Sequence, residues 1–152
     1  MADLGTKFSE RFRIVGGVLV LIFDADGRVL MMLRNNKFDA GTYSVPGGCM
    51  EAGEAVTSAG AREILEETGL IVAPENLHIV SVLNRITPSG WQSVEFVVVA
   101  KSWAGTPEIK EPNKCSELKW FETSALPHNI SKYAETAIKN YKSGIMFSEI
   151  DY

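Results

Sequence analysis

Between Gly48 and Leu70 the chain reads GCMEAGEAVTSAGAREILEETGL, and this stretch limits the possible folds more than any other. The spacing predicts a helix from about Glu54 to Thr68, stopped by Gly69 where a left-handed residue commonly ends a helix. Val56, Ala59, Gly60 and Ile64 make an apolar stripe at helical spacing, small enough to press closely on a sheet. Glu63, Glu66 and Glu67 stand at i, i+3 and i+4, and so share a face. Three like charges repel there, whereas a helix that needed only solubility would intersperse the signs. A crowded acidic face is the expected look of a site for a hard divalent cation.

The rest of the chain supplies strands and a second helix. Met1 to Phe12 is a polar arm. Ile14 to Phe23 (IVGGVLVLIF) is short and rich in β-branched residues, which predicts a buried strand. Asp24-Ala25-Asp26-Gly27 carries a hairpin signal, with Val29 to Leu33 as the return strand ending at Arg34. Asn35 to Thr42 is a polar loop, and Tyr43 to Val45 a short extended piece broken by Pro46-Gly47-Gly48. Leu77 to Ile86 and Val94 to Trp103 read as two long strands around Pro88-Ser89-Gly90, with Glu117 to Glu122 as the last strand. Ser131 to Tyr141 predicts a final helix with Ser131 as N-cap and with Tyr133, Ala137 (or Ala134), Ile138 and Tyr141 buried. No repeat, low-complexity segment or linker interrupts this order. The expectation is one α/β domain over residues 1–152, with a core at about 12–142 and a mixed sheet covered by helices.

The chain's 152 residues suffice to bury a core. Its 45% hydrophobic and 22% charged residues exclude disordered and collagen-like classes. A net charge of −4 argues against DNA, RNA or an anionic membrane as general partner, while a phosphate compound stays open if a metal or local Arg/Lys meets it. Cys49 and Cys115 are too few for a disulfide scaffold, the N-terminus has no apolar signal core, and no run approaches the ~18 apolar residues of a membrane span. The expected compartment is the cytoplasm.

Written as spacing, the segment is Gly48, five residues, Glu54, seven residues, then Arg62-Glu63-Ile64-Leu65-Glu66-Glu67-Thr68-Gly69-Leu70. This resembles the Nudix box, G-x5-E-x7-R-E-U-x-E-E-x-G-U with U aliphatic, at every specified position. From average residue usage a chance match has a probability on the order of 10⁻⁷ or less. Arg34 upstream, Val45-Pro46-Gly47-Gly48 leading in and the Trp-Phe pair within Glu117 to Phe121 extend the likeness over most of residues 12–142. The resemblance implies a Nudix-type α/β/α sandwich with a central mixed sheet. It also implies a pyrophosphohydrolase in which water attacks a phosphorus of a nucleoside diphosphate linked to another group.

Mg²⁺ takes six oxygens, is commonly shared between carboxylates and substrate phosphates, and lowers the pKa of a bound water; Mn²⁺ is a possible substitute. By position, Glu66 and Glu67 match the family's main metal ligands, Glu63 a further ligand or the general base, and Arg62 the residue that orients a glutamate. The backbone oxygen of Gly47 is a further candidate ligand, because side-chain-free Gly47-Gly48 lets the chain approach the ion. Gly48 and Glu54 support the site.

Outside the box the candidates are single residues. Arg34, Trp91 and Glu111 are candidates for contact with substrate, and Glu95 or Glu111 for a fourth ligand or the general base. Phe38, Tyr43 and Trp91 are placed either to stack a base or to pack. Cys115 reads as structural, and His78 and His128 have no spaced partner for zinc. Arg85 stands where ADP-ribose subclasses often carry Pro, and Thr87 near a Tyr of diadenosine-polyphosphate hydrolases. What remains resembles MutT-like (d)NTP pyrophosphohydrolases, including those for oxidised guanine nucleotides. A nucleotide-sugar or ADP-ribose hydrolase and a non-catalytic nucleotide-sensing module are the alternatives. The expected partner is a small nucleotide, and a homodimer is left open.

Overall fold

In the computed structural model, which describes residues 11–37 and 39–152, the run after Ile14 forms strand β1 (Val15–Leu21). Residues 1–10 of the expected arm, and Phe38, lie outside the described residues. Strand β1 is apolar on both faces because both are covered. Val18 and Val20 pack with the side of helix α1 (Val56–Thr68), and Leu19 and Leu21 with that of α2 (Lys132–Ser143). A continuous apolar run, rather than an alternating one, is what two-sided burial requires.

On one side β1 pairs antiparallel with β4 (Gly47–Cys49), on the other in parallel with β6 (Gln92–Ala100). Strand β6 pairs antiparallel with β5 (Leu77–Ile86), and β5 in parallel with β8 (Phe147–Asp151). The resulting mixed sheet has the order β4-β1-β6-β5-β8. A second, antiparallel sheet orders β3 (Tyr43–Ser44), β2 (Val29–Arg34) and β7 (Cys115–Phe121) as β3-β2-β7. The expected α/β/α arrangement around a central mixed sheet is present.

Helix α1 starts at Val56, two residues after the expected start, and ends at Gly69, which has φ 71° and donates its N–H to Leu65 O at 3.0 Å. Its close seat on the sheet depends on Gly60, where a Cβ would lie 2.9 Å from Leu77 Cδ1.

Three local expectations are corrected. The Asp24–Gly27 turn forms, but Phe23 and Val29 make only an isolated bridge, and β2 departs into the second sheet. Asp24 holds the turn by accepting the N–H groups of Asp26 and Arg28 at 3.0 and 2.9 Å. The strand at Glu117 is not the last, since β8 follows α2; FSEID buries Ile150 alone, so its alternation was too weak to read. Ser131 occupies the N-cap position, yet its buried hydroxyl makes no capping bond. On α2, Tyr141 packs partly buried against the core and Phe23, and Asn140 is buried as well, its Nδ2 donating to the hydroxyls of Ser81 and Ser148. Among the described residues no helix is long and apolar enough to cross a membrane.

Candidate active site

Strands β4 and β1 and helix α1 bring Gly47, Gly48, Glu63 and Glu67 to one cleft of about 830 Å³. The close approach begins at Gly47, where a Cβ would stand 2.1 Å from the backbone oxygen of Val18. Gly48 leaves the space in which the Glu63 carboxylate sits, since a Cβ there would lie 2.4 Å from Glu63 Oε1. Glu67 is buried at 8% exposure, and its Oε2 accepts the N–H of Gly47 at 2.9 Å.

Arg62 ties the acidic residues together. Its Nε and Nη2 donate to the two oxygens of Glu54 at 2.7 and 3.0 Å, a bidentate pair. Its Nη1 donates to Glu63 at 2.9 Å and to Glu66 at 3.3 Å, and Nη2 also reaches the carbonyl of Cys49 at 3.1 Å. Glu54 is thereby held at a pKa of about 2, first through the Arg62 bond and then through the Glu51 N–H. Arg62 itself is held above its ordinary value, chiefly by Glu54.

The two inward carboxylates shift the other way. Burial pushes Glu67 up to about 8; the Gly47 N–H and Arg34 oppose this, while the charges of Glu63 and Glu111 add to it. Burial also raises Glu63, against the pull of Arg62. Desolvated carboxylates beside one another resist ionisation unless a cation joins them.

The three glutamates of the acidic helical face do not share the cleft equally. Glu63 and Glu67 line it, whereas Glu66 is about half exposed and held by Arg62. The N–H of Gly47 is the group bonded to Glu67. Among the described residues no three His, Cys, Asp or Glu side chains are gathered into a preformed cation cage. Arg62 draws on Glu66 and Glu63 while Gly47 holds Glu67, so each carboxylate already has a donor. The donor chemistry nonetheless fits a hard divalent ion, being carboxylate oxygen throughout with Glu67 in need of charge compensation.

Of the remaining candidates, Arg34 and Trp91 line the same cleft. Arg34 Nη1 donates to the Tyr133 hydroxyl at 2.9 Å. Glu111 lies near enough to raise Glu67, but it accepts from Lys114 Nζ at 2.6 Å. Glu95 lies in the cleft at 5% exposure, with Oε1 taken by Arg85 and Ser93 at 2.8 and 2.9 Å. Tyr43 packs edge-on against Phe121 at 4.9 Å, so its packing alternative is the one realised. Cys115 is buried with Sγ donating to Glu117 O, in keeping with a structural part.

Sequence reasoning passed over Arg85, Lys114, Tyr133 and Tyr152, which also line the cleft. Arg85 left one available signal: it falls two residues after buried Leu83, and so on the inward face of β5, where an arginine is out of place.

A family model described as NUDIX domain matches residues 14–141. The ADP-ribose pyrophosphatase of Methanocaldococcus jannaschii is 32% identical over 120 residues, covering 79% of this chain and 69% of the relative. The oxidized purine nucleoside triphosphate hydrolase of Danio rerio is 42% identical over 112 residues, covering 72% and 67%. The crystal structure of a MutT NUDIX hydrolase from Burkholderia pseudomallei superposes with a TM-score of 0.78 at 28% identity, covering 84% of this chain and 98% of that one. Against two further curated relatives the chain spans only 39% and 33% of their length.

Proposed function

The chain belongs to the Nudix family, hydrolases of pyrophosphate bonds that act on small nucleotides with divalent metal ions, and from that premise we propose that it cleaves a nucleoside triphosphate to nucleoside monophosphate and pyrophosphate with Mg²⁺. Mn²⁺ is the expected substitute, and oxidised dGTP is one member of the substrate class. The observation that carries this proposal is Glu67, buried beside Glu63 and pushed up to about 8, at the floor of a cleft roomy enough for a nucleotide.

Glu66, Glu67 and the backbone of Gly47 would hold the cation, with Glu63 as a further ligand or as the general base. When bound, a divalent ion neutralises a diphosphate and makes a bound water acidic enough to lose a proton near neutral pH. The chain's own residues do the rest. Arg62 fixes the direction of Glu63 and Glu66 through charge-assisted bonds. Arg34 and Lys114, cations on the cleft wall, meet phosphate oxygens and orient the chain of phosphates. Glu63 is the candidate general base because it lines the cleft beside Glu67, whereas Glu95 is paired with Arg85 and Glu111 is bonded to Lys114 outside the cleft lining. In that role Glu63 is not itself a cation ligand, and its raised pKa makes it a better proton acceptor than an ordinary glutamate.

A nucleotide sugar or ADP-ribose is the second reading, favoured by the relative named ADP-ribose pyrophosphatase and by a cleft that crosses several strands. A panel of nucleoside triphosphates, oxidised dGTP, ADP-ribose and nucleotide sugars, assayed with Mg²⁺ and with chelator, decides between them. Release of monophosphate and pyrophosphate from a triphosphate supports the first reading. Preference for ADP-ribose supports the second, and turnover that persists in chelator contradicts both.

A further inference from the structure

A second charged cluster in the cleft takes no part in the hydrolytic proposal. Arg85 on β5 and Glu95 on β6 meet diagonally, Nη1 donating to Oε1 at 2.8 Å. The other Glu95 oxygen occupies the space left by Gly17, where a Cβ would lie 2.3 Å from it. Arg85 is only 9% exposed, a depth at which a guanidinium needs a partner. Glu95 cancels its charge without satisfying its donors. Arg85 Nε is buried with no hydrogen-bond partner among the described residues.

Aromatic rings surround that donor. The guanidinium carbon lies 4.0 Å from the Tyr133 ring centre, and 5.5 and 5.9 Å from those of Trp91 and Tyr152. Trp91 and Tyr152 are 41% and 50% exposed, so both rings can shift aside for an incoming one. Strand order sets this cluster apart from the acidic face: β4 carries Gly47 and Gly48, and Tyr152 follows β8 at the far edge. Three inter-strand spacings, roughly 14 Å, separate β4 from Arg85 on β5, and one more reaches β8. A nucleotide with its phosphates at the acidic end places its base toward Arg85.

The ligand chemistry follows from what the cluster lacks. The Arg85–Glu95 pair is electrically balanced and asks for no phosphate or carboxylate. The rings ask for a flat partner, and the unanswered Nε asks for an acceptor. An arginine fork matches the adjacent O6 and N7 acceptors of guanine, whereas adenine puts an amino donor at the same place. We propose that Arg85, clamped by Glu95 and flanked by Tyr133, Trp91 and Tyr152, is a specificity-determining residue that reads a 6-oxopurine base stacked by Trp91 and Tyr152. The placement of the phosphates rests on the hydrolase reading; the base contact does not need a metal.

Trp91 is a natural reporter, because the chain's other two tryptophans, Trp103 and Trp120, stack on each other at 5.9 Å. In chelator, guanosine 5′-monophosphate should quench tryptophan fluorescence. Calorimetry should show it binding about tenfold more tightly than adenosine 5′-monophosphate or ribose 5-phosphate. Arg85→Lys keeps the charge but removes the fork, and should erase the preference for guanosine. Trp91→Ala, at a half-exposed ring that the fold tolerates, should abolish the quenching and weaken guanosine monophosphate about tenfold relative to ribose 5-phosphate. If Arg85→Lys fails to fold, the Trp91→Ala titration decides. Equal affinity of the three ligands for the native protein, or a guanosine preference unchanged in the folded variants, overturns the assignment. A protein that hydrolyses nucleotides without base preference sinks this inference alone; one that prefers guanosine monophosphate yet hydrolyses no nucleotide sinks the hydrolase reading alone.

Discussion

Two arginines anchor charged clusters on the same cleft, and their surroundings are opposite. Arg62 is bonded to three carboxylates, Glu54, Glu63 and Glu66, while Glu67, buried next to them on α1, accepts only the Gly47 N–H and is drawn on by Arg34 from a distance. Arg85 is bonded to one carboxylate, Glu95, among aromatic rings, and the charges cancel. An imbalance retained inside a fold raises the energy of the empty state and is relieved by an outside cation; a balanced pair calls for none. The acidic end therefore suits chemistry on phosphates, and the balanced end suits recognition of an uncharged ring.

The contrast breaks if the two ends respond alike to substitution. Glu67→Gln should lower kcat in Mg²⁺ by about 10³-fold, measured as release of pyrophosphate or phosphate. Arg85→Lys should act mainly on KM for the preferred nucleotide, and a kcat loss of equal size there would remove the distinction. The next effect in size is on stability without metal. Glu67 has its pKa raised from about 4.5 to about 8 in the fold, so its contribution is fully present below pH 4.5 and is lost as pH rises through 8. Glu54, lowered to about 2, contributes above pH 4.5 and loses that contribution as pH falls toward 2. Denaturant unfolding in chelator should therefore fall by a few kcal/mol between pH 5 and 8.5, and Glu67→Gln should flatten that slope. The smallest effects come from the two glycines that seat carboxylates. Gly48→Ala presses on Glu63 and should cut kcat about tenfold, while Gly17→Ala presses on Glu95 and should act on binding instead. Steady-state kinetics on the two variants side by side reads the difference.

The two ends also differed in how far they could be read from residues alone. The acidic face of α1, its Gly69 stop and the Gly47-Gly48 entry were legible, because helical spacing and glycine punctuation are local properties. The balanced end was legible only as the single candidates Trp91 and Glu95. Arg85 and Glu95 sit ten residues apart on two strands and become partners only through the diagonal register of β5 and β6. Tyr133 and Tyr152 reach them from α2 and from beyond β8, a strand whose own pattern was too polar to be seen. Even on α1 the spacing overstated the symmetry: Glu66 shares the face with Glu63 and Glu67, but it is half exposed on Arg62 while they line the cleft.

Thermal unfolding at pH 8 of the native protein and of Glu67→Gln, each in chelator and in excess Mg²⁺, tests the under-neutralised acidic end most directly. Mg²⁺ should raise the native Tm by at least about 4 °C and that of the variant by half as much or less, and in chelator the variant should melt at or above the native protein. Equal Mg²⁺ shifts for the two proteins, or a lower Tm for the variant in chelator, would contradict a buried glutamate waiting for a cation.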